Sequence, residues 1–122
     1  NDTLAGSFGN DTLSGGNGND IFRFDTALDA ASNLDSVIDF SVVDDSFQLE
    51  NGIFTSLTQT GTLAAGSFVI GTAALDTNDK LIYDNTNGAL FYDADGSGSG
   101  GAIQFAVLGT SLALTNLDFV VT

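Results

Sequence analysis

The sequence predicts an all-β fold: a short parallel β-roll over residues 1–24, then mainly antiparallel strands with one or two short helical turns over 25–122. Three observations predict it. Gly15 to Arg23 meets the nine-residue pattern Gly-Gly-x-Gly-x-Asp-x-apolar-x at every fixed position. Gly6 to Ser14 repeats it with Ser7 for the second glycine, and Asn1 to Ala5 is the tail of another copy. Downstream, short runs rich in Phe, Val, Ile and Leu alternate with polar residues at the period of a half-buried strand, separated by Asn, Asp and Gly clusters that read as turns.

The repeat has a physical logic. Its first six residues are too glycine-rich for strand or helix, and glycine permits positive φ and close backbone approach, so they form a turn with its carbonyls inward. The last three form a short strand whose middle residue, Leu4, Leu13 or Phe22, points into the core. Nine residues make half a coil, so copies two apart stack at the strand spacing of about 4.8 Å. Asp2 then sits over Asp20. Carbonyl and carboxylate oxygens in such a ring are the ligands a hard cation such as Ca²⁺ takes.

The remaining elements follow in order. Ile21 to Phe24 is the last clear strand of the roll. Thr26 to Leu34 lacks glycine and reads as a short helix or an irregular turn, with Asp29 at the repeat's Asp position. Asp35 to Phe40 and Ser46 to Glu50 alternate as strands around a turn at Asp44-Asp45. Asn51-Gly52 is a turn, followed by a helical turn at Ile53 to Leu57 and a strand at Phe68 to Ile70. Lys80 to Tyr83 and Ala89 to Tyr92 form a β-hairpin around Asp84 to Gly88. Asp93 to Gly101 is a second glycine-rich loop, and Ile103 to Leu108 a buried strand. Leu114 to Thr122 echoes Leu63 to Ile70: a Leu, four residues, then Phe and two β-branched residues, a helical turn leading into a strand.

Composition narrows the function. Only Arg23 and Lys80 stand against 16 acids, a net charge of −14, so nucleic acid is a poor partner and cations are the natural one. Self-repulsion should weaken the compact state until cations bind. The absence of Cys and His removes disulfides, the usual zinc sites and a Ser-His-Asp triad, so no enzyme activity is expected of this segment. No apolar run approaches 18 residues, so no membrane insertion is expected. With no Met, the sequence reads as part of a longer or processed chain. Asp93, Asp95 and Ser97, followed by Gly98, fit the first half of an EF-hand loop, but Gln104 stands where the bidentate Glu belongs. That run reads either as a flexible glycine loop or as a calcium site.

The chain resembles the carboxy-terminal end of RTX exoproteins, the serralysin-like, hemolysin-type calcium-binding group. The resemblance rests on the nonapeptides, Asp35-x-x-Ile38-Asp39-Phe40, Leu90 to Gly96, and Asp118 to Val121. It implies a calcium-bound β-roll capped by further β structure, in a protein secreted to the extracellular space or cell surface. It also implies a type I secretion apparatus as partner, reading an uncleaved carboxy-terminal signal. By the family's pattern, Gly15, Asn17 and Asp20 pair with Asp2; Ser7, Gly9 and Asp11 face the turn near Asp29; and Gly16, Gly18 and Asp20 face the segment around Asp35. The carbonyls of Gly6 and Phe8 face upstream, where further repeats or a neighbouring copy would complete the roll. Self-assembly end to end, as in a surface-layer, adhesive or filament subunit, is the alternative function.

Overall fold

The computed structural model describes residues 1–122 and is built of strands, with two short 3-10 turns as its helical content. The strands are β1 (Thr3–Leu4), β2 (Thr12–Leu13), β3 (Ile21–Phe24), β4 (Asp35–Val37), β5 (Ser46–Leu49), β6 (Gly61–Thr62), β7 (Phe68–Ile70), β8 (Leu81–Asp84), β9 (Ala89–Tyr92), β10 (Ile103–Val107) and β11 (Phe119–Val121). They form two sheets, ordered β1-β3-β5-β11-β6 and β2-β4-β10-β9-β8-β7. Successive strands of the roll alternate between the sheets, as half-coils of nine residues require.

The pairing of β1 with β3 is parallel, with Thr3 opposite Ile21 and Leu4 opposite Phe22, the eighteen-residue stacking expected from the repeat. Parallel pairing then runs beyond the glycine-rich copies. β2 pairs with β4, β3 with β5, β4 with β10 and β5 with β11, all parallel. Strands after Phe24 were expected to pair mainly antiparallel; instead β8–β9, β9–β10 and β6–β11 are antiparallel while β4–β10, β5–β11 and β7–β8 are parallel. For β4 and β5 the reason is that β10 and β11 return to the roll and pair parallel beside them.

The core lies between the sheets and spans both parts of the chain, from Leu13 to Val121. In-register parallel pairing puts Phe22 beside Phe47 and Phe47 beside Phe119, with ring centroids 6.2 and 5.2 Å apart. All three are fully buried. Across the core, Phe24 meets Phe105 edge to face at 5.1 Å, a favoured aromatic geometry.

Local expectations fare variously. The hairpin of β8 and β9 and both turn-to-strand units are present: a 3-10 turn at Ala65–Ser67 leads into β7, and another at Asn116–Asp118 leads into β11. The second is capped by a reciprocal box between Thr115 and Asp118. Residues 26–34 form the irregular turn rather than the helix, because Asp29 Oδ1 accepts the N–H groups of Ala31 and Ser32 and so competes with helical bonding. Ile53 to Leu57 is a run of turns rather than a regular helical turn, and Ile103 is partly exposed where a buried strand was expected.

Candidate metal centre

Each sheet crossing in the roll is made by a loop that begins or ends on an aspartate, and the strand register brings these aspartates together in pairs. Asp2 N–H donates to Asp20 Oδ1 at 2.6 Å, and Ile21 N–H donates back to the Asp2 carbonyl at 2.8 Å. The same two bonds join the next coils. Asp11 N–H donates to Asp35 Oδ1 at 3.0 Å while Ser36 N–H donates to the Asp11 carbonyl at 2.8 Å. Asp20 N–H donates to Asp45 Oδ1 at 3.0 Å while Ser46 N–H donates to the Asp20 carbonyl at 2.9 Å. In every pair one carboxylate oxygen is used by the backbone, which fixes the side chain and leaves the other oxygen for something else.

That second oxygen of Asp20, Oδ2, is buried and has no protein partner, and the same is true of Asp11 Oδ2 beside the Asp35 carboxylate. A buried carboxylate oxygen without a partner is costly unless a proton or cation meets it. The glycines make the room. A Cβ on Gly6 would lie 2.6 Å from Asp35 Oδ2 and 2.9 Å from Asp11 Oδ2, and one on Gly15 would lie 2.5 Å from Asp20 Oδ2. Any side chain there would occupy the space in front of the free oxygens. Burial, then the Asp11 charge, raises the Asp35 carboxyl above the usual aspartate range against the Asp11 N–H bond. No group of three acidic side chains is arranged to hold a metal ion. A site here therefore consists of a carboxylate pair completed by other oxygens, which suits Ca²⁺ with its six to eight oxygen ligands.

Backbone conformation repeats with the sequence. Gly16 and Gly18 have φ of +77° and +114°, and Ser7 and Gly9, at the equivalent places, have +65° and +118°. Ser7 thus holds a left-handed conformation that glycine adopts without strain.

Residues 1–26 match the family model for the RTX calcium-binding nonapeptide repeat (4 copies). The amino-terminal segment is an RTX repeat roll. Repeats of this family bind Ca²⁺, and the paired aspartates with free buried oxygens are a donor set that fits it. No curated protein matches the chain.

The register corrects two pairings expected from the resemblance. Loop 6–11 does meet the 26–34 turn, through Thr26 Oγ donating to the Ser7 carbonyl and Asn10 donating to the Ala31 carbonyl. The carboxylate beside Asp11 is nevertheless Asp35, since Asp29 is spent on its own turn. Asp35 is consequently not the partner of the Gly16, Gly18 and Asp20 loop. That loop faces residues 38–45, where Asp45 meets Asp20 and Asp39 accepts from Ser14 Oγ and from the N–H groups of Gly15 and Gly16. These bonds hold the Asp39 carboxyl below the usual range, Ser14 first and Gly16 next.

Asp39 and Asp45 were missed as site residues, as were Asn1 and Asn10. Asn1 Oδ1 accepts from Asn19 N–H, and Asn10 Oδ1 from Leu34 N–H, tying each coil to the next. A signal for Asp45 existed. Asp45-Ser46-Phe47-Gln48-Leu49 repeats the Asp-x-apolar-x-apolar form of Asp20-Ile21-Phe22-Arg23-Phe24, and Asp35-Ser36-Val37 repeats Asp11-Thr12-Leu13. The aspartate-strand half of the repeat persists after its glycine half has gone.

Proposed function

We propose that calcium is what folds this RTX repeat module, outside the cell, after export through a type I apparatus that reads the carboxy-terminal segment. The observation carrying this reading is the pair of buried, unpartnered oxygens, Asp11 Oδ2 and Asp20 Oδ2, in a chain of net charge −14. Leaving such an oxygen unsatisfied costs about 1–3 kcal/mol, a sizeable part of a domain's whole margin of about 5–15 kcal/mol. Calcium bound only by the folded state contributes about 2.7 kcal/mol per site at a hundredfold excess over Kd. In a calcium-poor cytosol the chain stays unfolded and transportable.

The position of β11 supports the order of events. It lies inside its sheet between β5 and β6, with Phe119 and Val121 buried. A signal placed there is readable only before folding. RTX repeat proteins are typically secreted, and no helix of this chain is long and apolar enough to cross a membrane. The segment itself is non-catalytic in this reading; its residues bind, order and pack.

Far-UV circular dichroism in chelator and in millimolar Ca²⁺ tests the proposal. A β spectrum that develops only with calcium is the expected result; identical spectra in both would sink it. Deleting Leu117 to Thr122 should abolish export by a type I apparatus, and undiminished export would remove that half.

One observation favours end-to-end pairing as a second reading. β1 and β2 are both sheet edges at one end of the roll, beside the exposed Phe8. Repeats of the same chain or a second copy would pair there. A calcium-dependent increase in particle size with concentration is its test.

A further inference from the structure

Outside the roll, the loop from Asp93 to Gly101 joins the β8–β9 hairpin to β10, the strand that pairs with β4. Asp93 is 6% exposed, and its Oδ1 is buried with no hydrogen-bond partner. It lines a depression of about 380 Å³ walled by Thr72 to Ala74 on one side and by Ser97, Gly98 and Gly100 on the other. Asp95 follows two residues on in the same loop. Its Oδ2 accepts from Gly100 N–H at 2.8 Å, and a Cβ on Gly98 would fall 2.5 Å from the same oxygen. We propose that Asp93 and Asp95 hold a divalent cation, calcium by the all-oxygen donor set, at a site separate from the roll.

The surroundings agree. Gly98 and Gly100, which lie against the Asp95 carboxylate, line the same depression as Asp93. Two carboxyl groups this close, one of them buried, need a positive charge between them. The nearby cation offsets this only in small part, because Lys80 Nζ is held on the carbonyls of Thr77 and Ala94 rather than on either carboxylate. The other nearby acids are engaged: Asp79 Oδ2 accepts from Leu75 and Asp76 N–H, and Asp76 Oδ1 from Asn78 and Asp79 N–H. Only Asp93 keeps a free buried oxygen in this neighbourhood. Ser97 is the next oxygen donor along the loop. With no His or Cys in the chain, a softer metal has no ligand here. The ion would brace the connection through which the hairpin is joined to the roll.

Tyr83 and Tyr92 are the only tyrosines, there is no Trp, and Tyr92 adjoins Asp93. Terbium bound at this loop is therefore excited through tyrosine. The experiment titrates terbium into the full chain, folded in calcium, and reads tyrosine-sensitised emission. Strong emission is expected from the wild type and from Asp11→Asn, with apparent affinity weaker by about tenfold or more in Asp93→Asn and Asp95→Asn, since ligand charge sets the affinity of such sites. Circular dichroism verifies folding of each variant. Asp95 is exposed, so Asp95→Asn decides the matter even where Asp93→Asn fails to fold. Unchanged emission in Asp95→Asn, or none in the wild type, would overturn the site and leave a shared proton between the two carboxyls as its content. Loss of emission in Asp11→Asn alone would assign the signal to the roll and overturn it likewise.

Discussion

The roll and the hairpin region solve the same problem, joining strands into a sheet, with different physics. In β1 and β2 the strands are two residues long, and Leu13 is the sole buried residue among them. Coils there are tied by aspartate and asparagine side chains that accept from the backbone of a neighbouring coil, around carboxylate oxygens with no protein partner. In β8 all four residues are buried, and β9 buries Ala89, Leu90 and Tyr92. Apolar area removed from water stabilises that region at about 25 cal/mol per Å² without any ion. The comparison teaches that one chain can join its strands through side chains bonded to neighbouring backbone in one part and through buried apolar area in another.

The largest effect should come from removing calcium. Hydrogen exchange followed through a chelator titration should show amides of β1 to β5 losing protection at higher free calcium than those of β8 and β9. Simultaneous loss would mean that the shared core makes the two regions one cooperative unit. Next in size, Phe47→Ala should destabilise the protein by about 3–5 kcal/mol even in saturating calcium, because Phe47 is fully buried between Phe22 and Phe119. Denaturant unfolding measures it, and a small loss would show that the aromatic ladder matters less than the ions.

Within the roll, Asp20→Ala should raise the calcium midpoint for folding more than Asp11→Ala. Asp20 is the middle of a column of three, bonded to Asp2 and to Asp45, whereas Asp11 meets Asp35 alone. Equal midpoints would break the link between the ladder and the ions. Two carboxyls, Asp39 in the roll and Asp118 in the turn before β11, should also respond to acid with opposite sign. Asp39 is held below its ordinary value by Ser14, Gly16 and Gly15, so its contribution is complete above the unfolded pKa of about 3.9 and is lost as pH falls through the lower folded value. Asp118, in the turn before β11, is raised by burial against the Thr115 bond, so its charged form is penalised and the penalty is relieved as pH falls through its raised value. Carboxyl NMR titration in calcium should place Asp39 below and Asp118 above the usual range. The smallest effect is Ser7→Gly, which relieves a left-handed residue worth about 1 kcal/mol and should lower the calcium midpoint slightly. A rise instead would show that the Ser7 side chain contributes to the loop.

By itself the sequence determined what is local or strictly periodic. The all-β class, the period of nine, Asp2 over Asp20, the hairpin around Asp84 to Gly88 and the paired turn-to-strand units at residues 63–70 and 114–122 are all legible, because each is set by residues within one coil or one turn. Tertiary structure alone decided which aspartate meets which once the repeat length changed. The step from Asp2 to Asp20 is 18 residues, but that from Asp11 to Asp35 is 24 and that from Asp20 to Asp45 is 25. Counting by nines therefore sends Asp11 to Asp29 and misses Asp45. What restores the register is that Val37 must pair with Leu13, and Phe47 with Phe22, for both sheets to bury their apolar face. Likewise nothing local says that β10 and β11 return to the roll. They do so because β4 and β5 would otherwise end as open edges over an uncovered core.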